Sequence, residues 1–129
     1  MDIDETFSIV NATRSTLPRV PFLKIKNAVL GKNYSLSLVF IGETKSKKLN
    51  FSYRGINKPT NVLSFPIEKK VGEIFITPKV VRQQTKEFGK KFPNLVTFFF
   101  IHGLLHLKGM EHSSTMERAE VQLRRKFKI

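Results

Sequence analysis

The sequence predicts an α/β (α+β) fold in one compact domain spanning residues 1–129, with helices packed on a small sheet. A chain of 129 residues is long enough for one buried core and short for two domains. Its 40% of hydrophobic residues, which include 12 Phe, exclude a disordered basic tail. Runs with the two-residue alternation of strands are interleaved with runs that have the spacing of helices, which indicates a mixed fold.

The first half of the chain predicts two strands and two helices in alternation. Residues 35–41 alternate between polar and apolar side chains and then become apolar, as in a strand with one buried face. Pro21 favours the first turn of a helix, whereas Gly31 and Gly55 are residues at which helices commonly end. The predicted elements are strands over 7–10 and 35–41 and helices over 21–31 and 43–55.

The second half predicts two adjacent strands followed by three helices. Two runs of β-branched and aromatic residues are separated by a turn-like segment. Thr77 followed by Pro78 is typical of a capped helix N-terminus, and Gly89 ends that helix. Asn94 begins an apolar helix that ends near Gly109. The predicted strands cover 61–67 and 72–77, and the predicted helices cover 78–89, 94–109 and a last segment from Ser114 or Thr115 to the C-terminus.

The charge balance favours a polyanionic partner. Lys and Arg number 23 against 10 for Asp and Glu, which gives a net charge of +13. Nucleic acid is the first candidate partner and an anionic membrane surface is the second, because Lys and Arg gain binding energy by neutralising phosphates. The chain has no Cys, which excludes disulfides, thiolate zinc fingers and a cysteine nucleophile.

The N-terminus and the longest apolar segment argue for a cytoplasmic protein. The first residues carry acids where a signal peptide needs a basic region. Residues 95–107 are interrupted by polar side chains and fall short of the roughly 20 residues that cross a bilayer. We therefore expect no membrane partner.

All three histidines of the chain lie in one short segment with the spacing H-x-x-x-H-x-x-G-x-x-H. His102 and His106 are four residues apart in a predicted helix, so they share one helix face. Gly109 can adopt a left-handed conformation that stops the helix and returns His112 towards the pair. Three imidazoles with an open fourth position are typical of a catalytic zinc site.

Two other interpretations of the histidines compete with the metal site. A lone His on an apolar helix is more often a hydrogen-bonded core residue than a ligand, but three histidines with a glycine between them favour a metal. The same spacing occurs in metzincin proteases, whose general-base Glu follows the first His. Gly103 occupies that position here, which argues against a protease.

Three blocks of the sequence closely resemble the YbeY family of single-metal endoribonucleases. HGLLHLKGMEH is similar to the family pattern HGxLHLxGYDH, LNFSYRGINKPTNVLSFP to LNxxYRGxDxPTDVLSFP, and VGEIFI to LGDIxI. The blocks occur in the family's order and cover roughly the last two-thirds of the chain. They span His102 to His112, Leu49 to Pro66 and Val71 to Ile76.

The resemblance implies a fold, a site and an activity. The implied fold is a mostly four-stranded sheet beneath helices, with the metal site on a helix and the turn that follows it. The family's metal ligands correspond to His102, His106 and His112, and its active-site arginine corresponds to Arg54. Family members are endoribonucleases that act on single-stranded RNA in ribosomal RNA maturation, at the 3′ end of the small-subunit RNA, and in ribosome quality control. The expected partners are ribosomal RNA and the ribosomal subunit, and not DNA.

One divalent metal ion is the expected cofactor, with Zn²⁺ as the first candidate. Three imidazoles and a water also suit Ni²⁺ or Cu²⁺. The expected chemistry is attack of a metal-activated water on an RNA phosphodiester. Arg54, placed in the site by the resemblance, would stabilise the developing charge, because its planar group of donors matches phosphate oxygens.

Two acids are the sequence candidates for orienting a ligand imidazole or handling a proton. Glu111 is adjacent to a predicted ligand, and Glu73 lies on a predicted core strand. Glu117 and Glu120 are expected on the solvated face of the last helix. A ribosome-binding assembly factor with a structural metal stays open as a second function, and a metalloprotease as a third.

Positive charge recurs in three clusters, which we interpret as phosphate contacts that position RNA without reading its sequence. The segment from Thr60 to Phe65 is expected to add backbone groups or Phe contacts beside the site. The clusters are Lys45, Lys47, Lys48 and Arg54; Lys79, Arg82, Lys86, Lys90 and Lys91; and Arg118, Arg124, Arg125, Lys126 and Lys128.

Overall fold

A computed structural model describes residues 5–109 and 114–128, and it confirms the predicted α+β fold. Every predicted strand and helix is present, with ends that shift by at most a few residues. The elements are β1 (Phe7–Asn11), α1 (Phe22–Leu30), β2 (Ser35–Phe40), α2 (Glu43–Arg54), β3 (Val62–Glu68), β4 (Val71–Ile76), α3 (Pro78–Phe88), α4 (Phe92–Leu107) and α5 (Ser114–Lys126).

The four strands form one sheet in the order β1-β2-β4-β3. β1 and β2 are parallel, as are β2 and β4, whereas β3 and β4 pair antiparallel as neighbours in the chain. β3 is therefore an edge strand. Along β4 the buried side chains alternate, as the two-residue period of a strand requires, so that Ile74 and Ile76 enter the core.

Helix α4 lies at the centre of the core. It contacts α1, α3, α5, β3 and β4. Its buried residues lie on most of its circumference, which is the pattern of a helix surrounded by other elements. Among the described residues no helix is both long and apolar enough to cross a membrane.

Two details of the predicted helix starts are wrong. α4 begins at Phe92, not at Asn94, because Pro93 is accommodated in the first turn, where the missing backbone N–H has no intrahelical partner in any case. Thr77 occupies the N-cap position of α3, but within the described residues its side chain makes no capping hydrogen bond. Its backbone N–H donates to the Asn61 carbonyl instead, at 3.0 Å, because the extended backbone still follows the sheet.

Helix α2 is held by polar anchors instead of an apolar stripe. Its buried residues are Ser46 and Asn50. The Ser46 hydroxyl donates to the Thr60 carbonyl at 3.1 Å and accepts the Thr60 N–H at 2.9 Å. The Asn50 amide donates to the Lys58 carbonyl at 2.8 Å. These bonds fix the loop that joins the end of α2 to the edge strand.

Candidate metal centre and the cavity beside it

Two of the three predicted metal ligands lie side by side on the last turns of α4. His102 and His106 are one helical turn apart, and both are partly exposed. Their Nε2 atoms are 3.0 Å apart, and their ring centroids are 4.6 Å apart. The spacing of four residues therefore directs two imidazole nitrogens at the same point, as the sequence predicts.

The carboxylate of Glu120, which the sequence predicts on a solvated face, orients the ring of His102. Glu120 of α5 lies with Oε1 2.8 Å from His102 Nδ1, and only 13% of its side chain is exposed. An ionised carboxylate only accepts hydrogen bonds, so His102 donates from Nδ1, which in the neutral ring leaves the lone pair on Nε2. The expectation of a solvated Glu120 is wrong, because α5 packs this face against α4.

The donor set fits a Zn²⁺ ion. Nitrogens 3.0 Å apart can both contact one ion at the usual Zn–N distance of about 2.0–2.1 Å. A carboxylate on the far nitrogen of a ligand imidazole is the usual partner that fixes its tautomer and raises its basicity. The described residues contain no group of three His, Cys, Asp or Glu around one point, and the third predicted ligand, His112, lies outside them, as does Glu111.

Replacing Glu120 with glutamine is expected to weaken Zn²⁺ binding by about 10–100-fold, the usual effect of losing such a partner. The amide keeps the size of the side chain but carries no charge to favour the Nδ1–H form of His102. Competition of the purified protein with a zinc chelator measures the change. Glu117→Gln is the matched control on the same helix, because Glu117 is exposed and lines the cavity, and equal losses in both variants would contradict the role of Glu120.

Gly103, at the position of the protease general base, packs closely against side chains of the sheet. A Cβ atom there would lie 2.8 Å from Ser64 Oγ and 3.1 Å from Ile74 Cδ1. The Ser64 hydroxyl also donates to the Gly103 carbonyl at 3.2 Å. Position 103 therefore faces the sheet, and a side chain there would enter the core and not the space beside the histidines.

The histidine pair opens onto a cavity of about 1060 Å³. Its wall combines the end of α2, the edge strand, the end of α3, and helices α4 and α5. The expected segment Thr60 to Phe65 is part of this wall. The lining residues are Tyr53, Arg54, Thr60, Asn61, Val62, Leu63, Ser64, Phe65, Pro66, Phe88, Phe98, Phe99, His102, His106, Met116, Glu117 and Glu120.

Arg54 lines the same cavity as the two histidines, although it is separated from them by about fifty residues of sequence. It is the last residue of α2 and is exposed. Gly55 then takes a left-handed conformation, with φ +70°, which ends the helix and turns the chain towards the edge strand. The anchoring of the following loop by Ser46 and Asn50 holds this turn in place.

Glu73, the other sequence candidate for an acid, lies away from the histidines. Its neighbours Gly72 and Ile74 face α4. A Cβ atom placed at Gly72 would approach Leu107 of α4, and a Cβ atom placed at Gly103 of α4 would approach Ile74. Successive side chains of a strand point to opposite faces, so Glu73 points away from α4. It does not line the cavity within the described part of the chain.

The sequence contains a signal that could have located Glu120. Met116 lies one helical turn before it and is 1% exposed. Ala119 and Leu123 also pack against the core, so the buried stripe of α5 runs through positions 116, 119, 120 and 123. Residues three and four apart share a helix face, and an acid in such a stripe is expected to have a partner.

In the second basic cluster, one residue forms an ion pair and the other four line a cleft. Lys79 forms an ion pair with Glu43 at 3.0 Å, so its charge is partly engaged. Arg82 stacks on the Phe92 ring at 3.8 Å from the centroid. Arg82, Lys86, Lys90 and Lys91 line a second cleft of about 550 Å³ between the end of α3 and the start of α4.

Comparison with known proteins identifies relatives over nearly the whole chain. The model of a family described as Endoribonuclease YbeY matches residues 5–128. A protein named Endoribonuclease YbeY from Aliarcobacter butzleri is 34% identical over 128 residues, a match that covers 92% of this chain and 90% of that protein. A protein of the same name from Thermodesulfovibrio yellowstonii is 38% identical over 101 residues, which covers 73% of this chain and 64% of that protein.

A solved structure has the same fold. The solution structure of a Thermotoga maritima protein superposes with a TM-score of 0.62 at 24% identity, over 91% of this chain and 85% of that one. The agreement in fold and the extent of the sequence matches confirm the resemblance carried by the three sequence blocks. The chain belongs to the YbeY family of endoribonucleases.

Proposed function

We propose that the protein is a metal-dependent endoribonuclease that cuts single-stranded RNA. The observation that carries the proposal is that His102, His106 and Arg54 line one cavity. The names of the relatives, Endoribonuclease YbeY, support the same activity. The proposed substrate is ribosomal RNA, at the 3′ end of the small-subunit RNA, in ribosome maturation and quality control in the cytoplasm.

His102, His106 and His112 are the proposed ligands of one Zn²⁺ ion. When bound, this ion supplies Lewis acidity that activates a water and polarises a phosphoryl oxygen. Glu120 holds the His102 proton on Nδ1, which leaves the Nε2 lone pair for the metal. His106 Nε2, 3.0 Å away, is the second donor to the same point, and it binds the ion in the tautomer that carries its proton on Nδ1.

Arg54 is the proposed catalytic residue for charge stabilisation. Its guanidinium is always charged and presents donors in a planar arrangement that matches two phosphate oxygens. The residue is exposed at the end of α2, so it can reach a phosphodiester that enters the cavity. Because the negative charge on the phosphoryl oxygens grows in the transition state, this interaction lowers the barrier.

The remaining positive charge positions the RNA chain. A net charge of +13 gives a strong, salt-dependent attraction to phosphates. A separate cleft that does not include the histidine pair is lined by four cations that can contact the RNA backbone. These cations are Arg82, Lys86, Lys90 and Lys91. Such contacts fix the register of a nucleic acid and do not read its sequence.

Cleavage of single-stranded and ribosomal RNA by the zinc-loaded protein and by Arg54→Ala tests the proposal. We expect the wild type to cut RNA and Arg54→Ala to cut about 100-fold more slowly, the usual effect of removing one transition-state donor. Arg54→Lys should recover only part of the rate, because lysine cannot make the paired contact.

Zinc content and peptide cleavage serve as the controls for this experiment. Each variant should bind one zinc ion, because Arg54 is not among the proposed ligands. Zinc binding without RNA cleavage in the wild type would refute the nuclease and support an assembly factor with a structural metal. Cleavage of peptides and not of RNA would support a metalloprotease.

A further inference from the structure

An exposed aromatic residue, Tyr53, lies next to Arg54 in the wall of the cavity. Its exposed fraction is 66%, which is high for an aromatic side chain. Phe51, two residues earlier on the same helix, is 58% exposed but does not line the cavity. Tyr53 is therefore an apolar surface that faces both solvent and the proposed reaction site.

The Tyr53 ring packs on the ring of Phe65. Its centroid is 4.3 Å from that of Phe65, with the two planes tilted by 43°. Phe65 in turn contacts Phe75 edge to face, with centroids 5.7 Å apart. The three rings form a row that starts in the sheet and ends at Tyr53. The position of the outer ring is thus fixed by its neighbours, while most of its own surface stays open.

The surroundings of Tyr53 are basic. Along α2 and the following loop, residues 43–58 contain five cations and a single acid, Glu43. That acid is already paired with Lys79 at 3.0 Å. An aromatic platform beside uncompensated cations suits a ligand with both planar rings and negative charge. The five cations are Lys45, Lys47, Lys48, Arg54 and Lys58, and all are exposed.

We propose that Tyr53, backed by Phe65, stacks an unpaired nucleobase of single-stranded RNA next to the phosphate that Arg54 contacts. The inference rests on the proposed nuclease function and assigns a base-binding site to it. A base in a duplex is covered by its neighbours on both faces, whereas an unpaired base can turn out and stack on an aromatic ring. The platform therefore gives a physical cause for a preference for single strands.

Binding of short single-stranded RNAs that carry a fluorescent adenine analogue at successive positions tests the proposal. Binding is measured with the zinc-loaded protein, at times after mixing that are short enough for the RNA to stay intact, so the readout is binding alone. We expect the fluorescence to change on binding at one position, and Tyr53→Leu to lose that change and bind about tenfold more weakly, as for the loss of one stacked base. Tyr53→Phe should bind within about twofold of the wild type, because the ring and not the hydroxyl makes the contact.

The matched control is Phe51→Leu, which removes a similarly exposed ring of the same helix outside the cavity. It should leave RNA binding unchanged within about twofold. An abasic nucleotide at the stacked position should weaken the wild type by the same tenfold, and should not weaken Tyr53→Leu further. This coupling between protein and RNA would not arise if Tyr53 acted only on stability.

The proposal would be overturned if Tyr53→Leu bound RNA with wild-type affinity, or if Tyr53→Leu and Phe51→Leu lost equal affinity. Either result would favour a protein partner as the ligand of the exposed rings. Cleavage by the zinc-loaded variants is measured separately. Cleavage of RNA with no coupling at Tyr53 refutes the base-binding site alone. Coupling at Tyr53 without any cleavage supports the base-binding site and refutes the proposed function alone.

Discussion

Replacing His106 with alanine is expected to weaken Zn²⁺ binding by more than about 100-fold. Zinc in small peptide sites with four ligands is held by about 10–16 kcal/mol, so each ligand contributes about 2.5–4 kcal/mol, which is on the order of 100-fold or more in affinity. His106 Nε2 lies 3.0 Å from His102 Nε2, and alanine removes one of these two donors. Competition against a zinc chelator measures the affinity, and the rise in unfolding temperature on adding zinc measures it independently, because a ligand of the native state stabilises that state.

The same experiment separates a catalytic metal from a structural one. Most of the core around α4 is apolar and includes Phe100 and Leu104, both fully buried. We therefore expect wild type and His106→Ala to unfold at similar temperatures in chelator, and only the wild type to gain stability from zinc. A wild type that unfolds when zinc is removed would indicate a structural metal. A zinc-dependent rise of equal size in His106→Ala would show that this histidine is not a ligand.

The elements could be predicted because their boundaries depend on local chemistry. Gly31, Gly55 and Gly89 each follow the last residue of a helix, and all three have positive φ angles. The alternation in residues 35–41 becomes a strand whose buried residues alternate as expected. The histidine spacing likewise needs only the period of a helix to bring two rings together, and the Nε2 atoms of His102 and His106 do lie 3.0 Å apart. Their role as metal ligands stays a prediction.

The parts of the site that the sequence prediction missed depend on how the elements pack on each other. The sequence predicts Glu120 to be a surface acid. In the structure α5 packs against α4, and Glu120 contacts His102 there. In α2 the apolar residues suggest a face through Leu49 and Tyr53, yet the buried residues are Ser46 and Asn50. Their partners are backbone groups of a loop 14 and 8 residues away, respectively, which no periodicity reveals.

Restoring the acid of the protease pattern, by Gly103→Glu, is expected to destabilise the fold by at least about 3 kcal/mol, the cost of an uncompensated buried charge. Even a Cβ atom at this position would lie 2.8 Å from Ser64 Oγ and 3.1 Å from Ile74 Cδ1. The longer Glu side chain can be accommodated only if the sheet or helix α4 moves. Chemical unfolding measures the loss as a lower midpoint.

Gly42→Glu is the matched control, because the same substitution is made where a Cβ atom would meet no described heavy atom within 4 Å. Gly42 precedes α2, so an acid there lies at a helix N-terminus and should be neutral or slightly stabilising. A folded Gly103→Glu variant that hydrolyses peptides would show that only the missing acid separates this site from a protease. We expect instead a destabilised protein without peptidase activity, because the glycine lets α4 approach the edge strand closely enough to place the histidines beside the cavity that Arg54 lines.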